Sequence, residues 1–141
     1  MVLLVGLASV GCATASTVDG GVTATDPWIR TPPPFANTAA LYAVIENRSS
    51  IEDSLIAVES PSCESFALHR TTTEAGVATM SEVTGAGLAV GSGESLVLEP
   101  GALHGMCLGL EDSLSDGDLV DVELTFASAG RVRLKVPVER R

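Results

Sequence analysis

A chain of 141 residues with 45% apolar side chains is long enough for one domain with a sizeable core. Only 4% of the residues are aromatic, so that core is built from Val, Leu, Ala and Ile, and 14 Gly with 7 Pro favour short strands and turns over helices. A formal net charge of −10 repels phosphate backbones and anionic membrane surfaces, which sets nucleic-acid binding aside.

In chain order, residues 1–16 (MVLLVGLASVGCATAS) come first and carry no charge. They read as the apolar part of an export signal, too short to span a bilayer, which takes about 20 apolar residues. The basic segment that normally precedes such a stretch is missing, so the natural start is expected upstream of Met1. SVGC at 9–12 resembles a lipobox, with Ser9 where Leu is usual, and makes Cys12 a candidate for lipid attachment. The other reading is an ordinary secretory signal in which Cys12 is removed. Residues 17–24 read as a flexible tether and 25–138 as a single β domain working outside the cytoplasm, in the periplasm or at the cell surface. With Cys12 set apart, Cys63 and Cys107 are a pair in an oxidising compartment, either bridged or as two free thiols.

From residue 25 onward the pattern is period-two alternation broken by turns. WIRTPPPF (28–35) reads as a strand running into a stiff loop, since three consecutive Pro have no place in a central strand. Strands are predicted at 39–46, 54–59, 65–69, 95–98 and 103–110. GAGLAVGSGES (85–95) reads as a Gly-rich hairpin or loop, and the acids of SIEDS (50–54) as a solvated loop. Near the end, Val120, Val122, Leu124 and Phe126 share one strand face, and Val132, Leu134, Val136 and Val138 share another. A three-residue loop at 128–130, with Gly130 left-handed, sets Thr125 opposite Arg133 and Glu123 opposite Lys135. No stretch carries helical spacing with caps. Many short strands at close intervals predict an all-β sandwich or Greek-key barrel.

The chemistry concentrates in four residues. The chain has 2 His and 3 Met, one of them the initiator, so His69, Met80, His104 and Met106 are its whole supply of imidazole and internal thioether. In a strand His104 and Met106 project from one face and Cys107 from the other. Two imidazoles with two thioethers select Cu(I), because thioethers are poor ligands for Zn²⁺, Mg²⁺ or Ca²⁺. The imidazoles must be neutral to bind, so acid competes with the metal. Taken singly, each Met is ordinary core filler and each His a hydrogen-bonded side chain; their concentration in two segments carries the reading. A blue-copper site needs a Cys thiolate ahead of the last His, whereas Cys107 follows both His104 and Met106. Neither GxSxG nor HExxH occurs, and no nucleophile with an orienting acid is evident, so an enzyme is not expected.

His69, ten residues, Met80, then 23 residues to His104-x-Met106 resembles the signature of the PCuAC family of periplasmic copper chaperones. The similarity runs through DPWIRTPPP (26–34), YAVIENRSSIEDSLIAVESP (42–61) with Asn47 and Asp53 in matching places, LEPGALHGMCLGL (98–110) and GDLVDVELTFASAGRVRLKVPV (117–138). It implies a cupredoxin-like Greek-key β-sandwich with an exposed Cu(I) site formed by His69, Met80, His104 and Met106. It also implies delivery of copper to an accepting protein, either a cytochrome c oxidase subunit or a thiol-bearing copper chaperone. Copper tolerance or scavenging, and a metal-free β-sandwich interaction domain, are the alternatives. A monomer is the default, touching the membrane only through Cys12. Arg70 stands where a Met commonly follows the first His, the gap between Met80 and His104 is slightly long, and Cys107 is an uncommon addition, as a disulfide partner for Cys63 or a redox-active thiol. Pro100-Gly101 is expected to form a type II turn that launches the strand bearing His104 and Met106.

Overall fold

A computed structural model describes residues 16–17 and 20–141. The expected export segment apart from Ser16, and with it Cys12, lies outside these residues. The described residues form eleven strands and no helix. They are β1 (Ser16–Thr17), β2 (Val22–Arg30), β3 (Thr38–Asn47), β4 (Asp53–Glu59), β5 (Cys63–Glu74), β6 (Val77–Glu82), β7 (Leu88–Val90), β8 (Ser95–Leu98), β9 (Leu103–Leu110), β10 (Leu119–Phe126) and β11 (Gly130–Glu139).

Two sheets are built from them. One runs β6-β5-β9-β3-β2, with β8 continuing the β3 edge where β9 leaves it and β1 pairing β2. The other runs β11-β10-β4-β7, and the sheets join where β11 runs parallel to β2 at Val138↔Ile29. Inward side chains, most regularly alternating along β10 and β11, meet in one core that includes Ile29, Leu41, Ile45, Leu55, Leu124, Val132 and Val136. β2 starts at Val22, inside the stretch that reads as tether, because Val22 and Ala24 are as buried as any core residue.

Three sequence expectations are corrected. The strand at 65–69 runs on to Glu74 and turns at Ala75-Gly76 into β6, a strand with no predicted counterpart. Both turn residues have positive φ (48° and 78°), as a two-residue type I′ hairpin requires. β6 is exposed along its whole length, so no in–out alternation announces it. In the closing hairpin Glu123 faces Arg133, Asp121 faces Lys135 and Thr125 faces Arg131, two residues away from the expected pairing. The loop is Ala127–Ala129, closed by Phe126↔Gly130, and Gly130 is left-handed as expected (φ 85°). SIEDS is not wholly solvated: Asp53 is 5% exposed, and its carboxylate accepts the backbone N–H groups of Ser54, Ser128 and Ala129, each at 2.8 Å.

Cys63 and Cys107 form a disulfide that ties β5 to β9 from the core side. The turn ahead of β9 is as expected. Glu99 C=O accepts from Ala102 N–H (3.2 Å) with Pro100 and Gly101 at its centre, and Gly101 has φ 79°.

Candidate metal centre

β9 lies between β5 and β3, and it sets the site. His104 and Met106 sit on the outer face of their sheet, while Gly105 and Cys107 turn toward the core. His69 on β5 is the direct cross-strand partner of His104, so their rings share that face, with centroids 5.8 Å apart and planes near perpendicular. Met80 on β6 pairs with Thr71, two residues from His69 and again on the same face. Its Sδ lies 3.1 Å from His69 Nδ1. Met106 has Ala67 opposite on β5 and Ala40 opposite on β3, small side chains that leave room above it. Met80, His104 and Met106 line one open cleft of about 400 Å³. His69 is not part of that lining and reaches the group through Met80 and His104. The four sequence-predicted residues, from three strands, thus come to one patch.

Each donor is held differently. His104 is 4% exposed, and its Nδ1 is 3.1 Å from Ala102 C=O. A carbonyl only accepts, so Nδ1 carries the proton and Nε2 keeps the lone pair for a ligand. The Pro100-Gly101 turn therefore acts on the site twice: it starts β9 and it supplies the carbonyl that orients His104. Met80, at 52% exposed on an edge strand, is the most accessible of the four donors.

Among the described residues no three His, Cys, Asp or Glu side chains gather. The Cys107 sulfur is bridged to Cys63 and faces the core, so it is not the thiolate that blue copper requires.

Sequence reasoning passed over the walls of the cleft. Tyr42 and Arg30 both line it, with Pro32 and Pro33 from the stiff loop. Trp28 pairs with Tyr42 across β2 and β3 at 4.6 Å between ring centroids, and Tyr42 lies 6.3 Å from the His104 ring. The outer face thus carries a row of rings, Trp28-Tyr42-His104-His69. Burial raises the Tyr42 phenol above its ordinary pKa, against the opposing pull of the Arg30 charge. The available signal was period two: Trp28 with Arg30, and Ala40 with Tyr42, share faces in the same way as His104 and Met106.

The family described as "Putative lipoprotein LpqE-like" matches residues 22–138. A protein named "Putative lipoprotein Lxx21020" from Leifsonia xyli subsp. xyli is 29% identical over 119 residues, covering 84% of this chain and 70% of that one. The copper-bound PCuAC domain from PmoF2 superposes with a TM-score of 0.76 at 23% identity, over 91% of this chain and 99% of that domain. The apo PCuAC domain from PmoF1 does so at 0.75 and 22%, over 91% and 100%. The Cu(I) form of DR1885 from Deinococcus radiodurans reaches 0.66 at 24%, over 82% and 76%. The fold is thus the PCuAC cupredoxin-like β-sandwich, as the family resemblance implied.

Proposed function

This chain belongs to the LpqE-like lipoprotein family, and from that premise we propose that it is an extracytoplasmic copper chaperone, a carrier and not an enzyme. It binds one Cu(I) through His104 Nε2, an imidazole nitrogen of His69 and the sulfurs of Met80 and Met106. What supports this reading most is the meeting of all the chain's His and internal Met on one face of one sheet, at an open cleft, with His104 already oriented by the Ala102 carbonyl. The donor set fits the ion: neutral thioethers and imidazoles suit soft, monovalent copper. The copper-bound PmoF2 domain and the Cu(I) form of DR1885 share the fold and support copper as the cargo.

Handover follows from the same features. A carrier has to release what it binds, and Met80 sits on an exposed edge strand where an incoming donor can displace it. The acceptor is a copper-accepting protein, either a cytochrome c oxidase subunit during assembly of its copper centre or a thiol-bearing chaperone. Cys12 is the candidate lipid anchor that keeps the carrier at the membrane surface.

The test is a Cu(I) titration against a competing chelator under reducing conditions. Wild type should bind one equivalent. His104→Ala and Met106→Ala each remove a proposed ligand and should weaken binding by at least about tenfold, the low end of what losing only an outer-shell partner costs. Full affinity in the double variant would remove the reading.

A further inference from the structure

The cleft lined by Met80, His104 and Met106 also holds a fixed positive charge, that of Arg30. Arg30 ends β2, two positions from Trp28 and on the same face. Its guanidinium carbon lies 5.4 Å from the Tyr42 ring centroid and 5.8 Å from that of Trp28. Both distances fall in cation–π range, which aligns a guanidinium better than an ammonium. Tyr42 in turn stands beside His104. The ion pairs of the described residues engage Arg48, Arg131, Arg133, Lys135 and Arg141, and none engages Arg30. Glu139, the partner of Arg30 across β2 and β11, is bonded to Arg141, so in a strongly acidic chain the guanidinium on the cleft wall keeps no ion pair of its own among the described residues.

We infer that Arg30 is a charge-selectivity residue: held over Trp28 and Tyr42, it biases the site toward monovalent Cu(I) and against Cu(II) and other divalent ions. The inference rests on the proposed copper site. The four donors are neutral, so they contribute no charge that would favour a dication. A fixed positive charge repels a dication twice as strongly as a monocation at the same distance. Arg30 therefore weakens both states and weakens the divalent one more. Glu82, the cross-strand partner of His69, is the carboxylate facing the site from β6, and it is exposed on the rim. The Arg30 side chain is itself exposed, so its effect is screened by salt.

The test compares affinities for Cu(I), Cu(II) and Zn(II), each supplied alone, in wild type, Arg30→Gln and Arg30→Lys. At low ionic strength Arg30→Gln should raise the Cu(II)-to-Cu(I) affinity ratio on the order of tenfold, the size of one unit charge acting through a partly screened medium. That change lowers the Cu(II)/Cu(I) potential by about 59 mV. Zn(II) should gain as Cu(II) does, and Arg30→Lys should stay near wild type. Raising a non-coordinating salt toward about 1 M should shrink the difference in ratio between wild type and Arg30→Gln, because the screening length falls to about 3 Å. An unchanged ratio in folded Arg30→Gln, or a difference that persists undiminished at high salt, overturns the inference and leaves the carrier reading standing. No Cu(I) binding in wild type overturns both.

Discussion

At the residue scale, two buried polar side chains do work that hydrophobic pattern does not announce. Asn47, 1% exposed, donates to Ile51 C=O and Val90 C=O and accepts from the Ser49 backbone N–H and hydroxyl. Asp53 gathers backbone N–H groups from its own strand and from the β10–β11 loop. Burial alone would raise the Asp53 pKa. The donated hydrogen bonds from Ser128, Ser54, Ala129 and Ala127 outweigh it and hold the carboxyl below its ordinary range. A carboxyl depressed on folding adds stability above its unfolded pKa, about 3.9, and that stability is lost as pH falls through the folded value. Asp53→Asn sets an amide donor against a backbone donor and should cost about 1–3 kcal/mol by urea denaturation at neutral pH. The gap between wild type and variant should close as the pH drops below about 4. A constant gap across that range would show that the charge contributes nothing. None of this was legible beforehand: SIEDS has the composition of a solvated loop, and only the arrival of residues 128–129, far along the chain, makes Asp53 an anchor.

At the scale of elements, the closing hairpin shows how far period two reaches. A one-residue slip would expose Val120, Val122, Leu124 and Phe126, so the sequence excludes it. A two-residue slip keeps the same face inward, and the pattern has no opinion on it. The observed pairing places Arg133 Nε 2.9 Å from Glu123 and Lys135 beside Asp121, and the loop it creates offers Ser128 N–H and Ala129 N–H to Asp53. The β5–β6 hairpin was hidden for the opposite reason. β6 is exposed on both faces, so it shows no alternation at all, although it carries Met80. Between β5 and β9 the Cys63–Cys107 bridge closes a separation of 44 residues. Replacing both by Ser, or reducing the bridge, should lower the unfolding free energy by about 4 kcal/mol if loop entropy in the unfolded chain sets its effect. Matched urea transitions with and without reductant measure this. Coincident curves would mean that the β5–β9 ladder alone accounts for the stability.

At the scale of the whole molecule, the proposed copper site ties metal binding to folding. Its donors would come from β5, β6 and β9, which the unfolded chain cannot present together, so the ion would select the native state. Free Cu(I) held at a hundred times Kd should therefore raise the unfolding free energy by about 2.7 kcal/mol, seen as a higher melting temperature. Met106→Ala should show little of that shift. An equal shift in both proteins would mean that copper stabilises through some other place. Arg141 closes the outer face at the chain end: its guanidinium lies 4.9 Å from the Trp28 ring centroid and holds Asp26 with two bonds of 2.8 Å. That ion pair keeps the Asp26 carboxyl below its usual range and holds the Arg141 side chain beside the row of rings that leads to His104.

Local sequence was enough for the all-β class, the turn at Pro100-Gly101, the shared face of His104 and Met106, and the short supply of imidazole and internal thioether. Each of these follows from local period, local turn chemistry or sheer scarcity of residue type. Only the tertiary structure decided that His69 stands directly across from His104, that Cys63 and Cys107 are bridged, that the closing hairpin is paired at Glu123↔Arg133, and that Arg30 and Tyr42 wall the cleft. Those facts depend on which strands become neighbours, and strand neighbourhood is set by long-range burial and by anchors such as Asp53, which no window of adjacent residues contains.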